Sequence, residues 1–314
     1  MADLLRHISL QLIKIGVPII VCISIMGNTL NIAVLCRYKM RKQACSLYFI
    51  TLSIINLIYS PTILVVSLLS DGYQIKLNIR SLIACNLITY FGTLLSALSL
   101  YFIVFASINR WCASSSNTQR RNLSNVRTTK WLIFMIIIFF SLLFIISLVT
   151  TGLNTDNTTN CGIQGNEVFV QVYSIFQFIL FSCLPSFLML LFGCMTIYNI
   201  QPYRRMALTL SNNRRTENQL IRMLLVQVGV QLLLILPLSA VNLLLSFPNI
   251  YQPTANFYSC YFICRVIFHM SIATPFFLYI LSARTFIKQL LKLIIKILPC
   301  NHNNRIHVMR HSGA

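Results

Sequence analysis

Five carboxylates, Asp3, Asp71, Asp156, Glu167 and Glu217, are the whole acidic complement of a 314-residue chain that carries 25 lysines and arginines. No HExxH and no G-x-S-x-G occurs, so the sequence supplies neither a metal-activated water nor an elbow-mounted serine nucleophile. A P-loop and a dinucleotide fingerprint are absent too, and the histidines, mostly crowded into the carboxyl-terminal tail, do not make a metal site. The expectation is a protein that is not an enzyme and needs no cofactor and no metal ion.

What remains for chemistry is recognition and switching by polar groups set in apolar surroundings. Asn28, Asn56, Ser99 and Thr274 are such groups, and Pro61, Pro185, Pro237 and Pro275 accompany them. A proline inside a helix leaves a backbone carbonyl without its donor, which bends the helix and makes it a candidate hinge. Pro18 and Pro61 taken singly are equally well read as packing distortions.

The elements that must carry these groups follow from composition. The chain is 57% hydrophobic and 10% charged, against about half and a quarter in soluble domains. A bilayer core about 30 Å thick asks for about 20 apolar residues per helical span. Seven such stretches fall at 11 to 36, 45 to 70, 82 to 111, 131 to 151, 168 to 199, 219 to 246 and 257 to 281. Runs such as WLIFMIIIFFSLLFIISLV are apolar all round, which excludes the alternating strands of a membrane barrel. The predicted fold is an all-α membrane protein, a seven-transmembrane helix bundle forming one domain over 1–314. No carboxylate falls inside a stretch so bounded, which weakens an ion-coupled transporter or pump; selectivity rings of a channel are not visible either.

Net charge is +20, and its distribution decides its meaning. Twenty of the 25 basic residues fall in alternate connecting loops, at the span ends that border them, and in the tail, among them Arg37, Lys42, Arg110, Arg121, Arg204, Arg222, Lys288 and Arg310. Of the acids only Glu217 shares that side. The positive-inside rule then puts the amino terminus outside and the carboxyl terminus in the cytosol of a plasma-membrane protein, as an odd number of spans requires. Juxtamembrane basic clusters facing anionic membrane lipids account for the charge, so no nucleic-acid partner is expected. The first stretch is too long for a cleavable signal and reads as a retained anchor with about ten residues before it, which leaves no outer domain for a large ligand.

Of the cysteines, most, such as Cys22, Cys183 and Cys194, read as small buried hydrophobes. Cys85 and Cys161 lie on the outer side in an oxidising compartment, and we expect them to be bonded, tying the second outer loop across the mouth of the bundle. Cys260 and Cys264, at helical spacing, would pair only if their helix began late. Asn157, in NTT on the outer loop, is a glycosylation acceptor, whereas Asn122 in NLS falls on the cytosolic side and should be silent.

Taken together, GNTLNIAVL with Asn28, LSIIN with Asn56, ASINRWCAS with Arg110, the prolines Pro185 and Pro237, and TPFFLYI with Pro275 and Tyr279 resemble, in order across all seven spans, the rhodopsin-like G-protein-coupled receptor family. Trp131 is a weaker match to that family's fourth-helix tryptophan. Several positions depart from the pattern. Asn109 replaces the acid before Arg110, Asn56 the aspartate on which a bound sodium ion relies, Thr274 the asparagine before Pro275, and Ile235 a common tryptophan; Tyr279 stands four residues beyond the proline rather than three. Phe268 occupies the retinal-lysine position and Gly92 that of the amine-binding aspartate, so light sensing and an aminergic ligand are not expected.

The resemblance implies an extracellular ligand, a peptide or a small chemosensory molecule, held between the third, fifth, sixth and seventh helices by Thr93, Ser96, Gln177, Ser239 and Asn242. Arg265 either joins them by binding an anionic group or snorkels to outer headgroups; it shares a helix face with His269. The resemblance also implies that the sixth helix swings from the third to admit a heterotrimeric G protein. Glu217 precedes Pro237 by 20 residues, about 30 Å of helix, which puts it near the depth of Arg110, and a resting pair between the two is expected. After the seventh span, 283–298 sets Phe286, Leu290, Leu293 and Ile297 opposite Lys288, Lys292 and Lys296, an amphipathic interfacial helix; Cys300 in the tail 299–314 is a candidate for palmitoylation. Two other readings stand beside this one. A seven-helix transporter or channel would show an internal repeat, which is not evident, and a receptor-like protein that does not couple would explain Asn109.

Overall fold

The computed structural model describes residues 2–75, 81–115, 117–154, 160–206, 212–245, 247, 254–282, 287, 290 and 291. Seven of its helices are long and apolar enough to cross a membrane. We label them α1 (Ala2–Leu35), α2 (Ala44–Gly72), α3 (Leu82–Ser114), α4 (Val126–Thr150), α5 (167–206), α6 (Asn212–Leu245) and α7 (Ala255–Ser282). One-turn and two-turn helices, Tyr38–Arg41 and Thr118–Leu123, cover parts of two loops.

The helices close into a ring. α1 packs on α2 and α7, α7 on α6, and α3 on α2, α4 and α5. α3 is the most buried of the seven, with Ala97, Phe102, Ile103 and Ala106 in the shared core. Outward faces are apolar as well: Ile15, Phe139, Leu142, Phe187 and Leu233 are all more than half exposed, as side chains that face lipid rather than water would be. Trp131 belongs to this outer face and is 61% exposed.

Three differences from the sequence-based boundaries have physical causes. α1 begins at Ala2 and not near residue 11, because Arg6, His7, Gln11 and Lys14 do not break a helix whose other face buries Ser9, Ile13 and Val17. α2 reaches Gly72, so Asp71 lies in its last turn and the expected absence of carboxylates from the spans does not hold; Glu167 likewise opens α5. The loop between α4 and α5 carries two short strands that the sequence did not announce: β1 (Thr151–Asn154) and β2 (Asn160–Ile163) pair antiparallel, with Leu153 opposite Cys161.

Prolines shape α2 and α5 through wider, π-type turns at Ser60–Leu64 and Ile179–Cys183. In a five-residue winding, the carbonyl that Pro185 leaves without a donor is that of Leu180, and Tyr101 of α3 donates its hydroxyl to it at 3.0 Å. In α7 the carbonyl orphaned by Pro275 is that of Ser271, and the Thr274 hydroxyl donates to it at 2.8 Å.

Cys85 at the start of α3 is bonded to Cys161 of β2, with Cα atoms 5.7 Å apart. This bond names one end of the bundle, the disulfide end. Cys260 and Cys264 both fall within α7 and are unbonded. Of 283–298, where an amphipathic helix is expected, only Ile287, Leu290 and Leu291 are described; Asn157 and Cys300 lie outside the described residues.

Candidate ligand cavity and intramembrane switch

At the disulfide end the bundle holds a cavity of about 700 Å³. Cys161 and Ile163 of the hairpin reach it from one side, and it descends between the helices to Asn56 and Ser99. Thr93, Ser96, Gln177, Ser239, Asn242 and Arg265 all line it, as do Gly92, Phe268 and His269. The sequence-derived set thus comes together in one place, drawn from α3, α5, α6 and α7.

Local bonding differs among them. Thr93 turns its hydroxyl back on the carbonyls of Thr89 and Tyr90, at 2.8 and 3.0 Å. Gln177 donates to the Tyr173 hydroxyl at 2.9 Å, and Tyr173 donates to Ser147 of α4 at 3.4 Å. Among the described lining residues Arg265 is the only lysine or arginine, and there is no aspartate or glutamate.

Arg265 does not simply reach for headgroups. Its Nη1 meets Asp71 Oδ2 at 2.8 Å, joining α7 to the last turn of α2. Ser67 and Ser70 donate to the same carboxylate at 3.1 and 2.9 Å, and His269 Nε2 lies 3.5 Å from the Ser67 hydroxyl. Sequence reasoning missed Asp71 because the second span was ended at residue 70. One signal was available: a cation inside a span needs a counter-charge, and Asp71 and Glu167 each stand one residue beyond an outer span end.

Below the cavity lies a polar knot. Asn28 and Asn56 each donate Nδ2 to the Ile272 carbonyl at 3.3 Å, and Ser99 donates to Asn56 Oδ1 at 2.9 Å. The hydroxyls of Ser24 and Ser60 are 2.6 Å apart and complete it. Four helices, α1, α2, α3 and α7, meet here. Thr274, expected in this network, is not part of it; its hydroxyl is committed to Ser271 within its own helix.

Toward the opposite end Arg110 is 5% exposed. Among the described residues its Nε and Nη2 have no hydrogen-bond partner, and the Cys45 thiol lies in hydrogen-bonding contact with the guanidinium. Asn109 looks elsewhere: it accepts from Ser124 at 3.1 Å and donates to Thr129 at 3.5 Å, fastening the end of α3 to the start of α4. Tyr279 is fully buried, its ring 5.2 Å from that of Phe49 in α2. Pro237 lies within α6, and Glu217 is on the same helix, but its side chain lies outside the described set.

Residues 27–279 match the family model described as 7 transmembrane receptor (rhodopsin family). A comparison with curated proteins finds no match.

Proposed function

Since the chain belongs to the rhodopsin family of seven-transmembrane receptors, we propose that it is a G-protein-coupled receptor of the plasma membrane, with its disulfide end outside and its basic loops in the cytosol. The ligand, a peptide or small chemosensory molecule, enters the cavity; the response is activation of a heterotrimeric G protein at the far end. What supports this reading is a single pairing within one bundle. A cavity of about 700 Å³, its largely apolar wall set with polar groups, opens at the disulfide end, and beyond the polar knot stands a buried arginine with two nitrogens unpartnered among the described residues. Leaving donors of a buried charge unmet is costly. Arg110 therefore favours any arrangement that brings acceptors to it, whether Glu217 of α6 at rest or the backbone carbonyls of an inserted G-protein helix.

The test is G-protein activation in cells, basal and in response to a library of peptides and small metabolites, at matched surface levels. Arg110→Ala abolishes the stimulated signal. Glu217→Ala raises the basal signal about fivefold, the effect of losing an interfacial pair worth about 1 kcal/mol. No response from any G-protein class, despite surface expression, would count against a coupling receptor; unchanged basal signalling in Glu217→Ala would count against the resting pair.

A further inference from the structure

The two partners of the Arg265–Asp71 pair stand in unequal surroundings. Each oxygen of Asp71 already accepts from a serine of its own helix, Oδ1 from Ser70 at 2.9 Å and Oδ2 from Ser67 at 3.1 Å. Without the arginine the carboxylate would keep one hydrogen bond on each oxygen. Behind the same turn, Gly72, Tyr73 and Gln74 border a second recess, of about 500 Å³, to which Arg6 and Lys14 bring positive charge; no acid is among its described lining residues.

Arg265 is the more open partner. Its fork offers five N–H donors, Nη1 serves Asp71, Tyr261 is a further hydrogen-bond partner, and 31% of the side chain stays exposed on the main cavity. One turn along α7, His269 lines the same cavity; it is 3% exposed, and its Nδ1 has no hydrogen-bond partner among the described residues.

We propose that Asp71 is a built-in stand-in for the anionic group of the ligand: a carboxylate entering the cavity takes the Arg265 guanidinium from Asp71 and so releases the tie between α2 and α7. This rests on the receptor reading and names the class of its ligand. Guanidinium and carboxylate match in a planar, two-point fork, and the anion that Arg265 already holds is itself a carboxylate. The exchange trades one carboxylate for another at Arg265, while Ser67 and Ser70 keep their hydrogen bonds to the carboxylate that is displaced.

The experiment uses the full chain in lipid nanodiscs, with 4-phenylbutyrate as the probe and its amide, 4-phenylbutyramide, as the neutral counterpart, read by the shift in thermal unfolding with concentration. In the wild type the carboxylate raises Tm and the amide does not. In Asp71→Asn the apparent Kd for 4-phenylbutyrate tightens by about tenfold or more, the least that a freed charge-assisted hydrogen bond contributes. The doubly neutral Asp71→Asn/Arg265→Gln chain, which leaves no unpaired charge to endanger folding, loses the preference for the carboxylate. Equal effects of acid and amide in Asp71→Asn, including no effect of either, would overturn the proposal, as would weaker carboxylate binding in that variant or a preference surviving in the double variant. Because unfolding reads binding with no G protein present, carboxylate preference in a chain that activates nothing would sink the coupling alone, and signalling without that preference would sink the exchange alone.

Discussion

Thr274 satisfies a need created by its neighbour. Pro275 has no N–H to give Ser271, and the Thr274 hydroxyl covers that carbonyl at 2.8 Å, so the bend in α7 is hydrogen-bonded where lipid and core offer no water. Thr274→Ala should therefore lower stability by about 1 kcal/mol, and Thr274→Ser should restore most of it; thermal unfolding of the purified chain measures both, and an unchanged Tm in the alanine variant would show that the carbonyl finds another donor. Residue type alone pointed to Asn28, Asn56 and Ser99 as a polar set, because amides and hydroxyls in a span must find partners. It could not reveal that the acceptor at their centre is the backbone carbonyl of Ile272, since a carbonyl carries no mark in a sequence. The same blindness put Thr274 in the wrong company. Asp71 was lost for a simpler reason: a polar residue one step past an apolar run looks like loop, and only the wide turn Leu68–Gly72 keeps it helical beside Arg265.

Elements were legible in kind and less so in extent. Apolar length gives a span its existence, while its ends depend on whether flanking polar residues can continue the helix in water, as Arg6 to Lys14 do in α1. The hairpin β1–β2 had no signature, because TGLN and NCGI are short and pair only where the Cys85–Cys161 bond holds them over α3. Close contact between elements is also invisible in a sequence. A Cβ placed on Gly27 of α1 would sit 2.8 Å from Phe276 Cβ of α7, so only glycine permits this approach. Gly27→Val should force α1 away from α7 at a cost of about 1–3 kcal/mol, lowering Tm and surface expression. A variant as stable as the wild type would mean that Phe276 can yield without disturbing the knot at Asn28.

At the scale of the molecule, charge and cavity lie at opposite ends and one polar knot lies between them. The ring closes through α7, which contributes Arg265 to the cavity, the Ile272 carbonyl to the knot and Tyr279 to the packing beside Arg110's end of the bundle. A displacement of α7 by a ligand therefore acts on all three levels at once, which is the physical content of the proposed signalling. Seven spans, their order of motifs and the charge asymmetry were all open to the sequence; the continuity from cavity to knot was not, because it depends on which faces of four helices meet. The most direct test is nucleotide exchange on purified heterotrimeric G protein, catalysed by the reconstituted receptor with a compound drawn from the cell screen. The account predicts that the compound accelerates exchange in the wild type, that Ser96→Trp, which fills the cavity, abolishes both binding and exchange, and that Arg110→Ala retains binding while losing exchange. Exchange that survives the filled cavity, or that survives loss of Arg110, would contradict it.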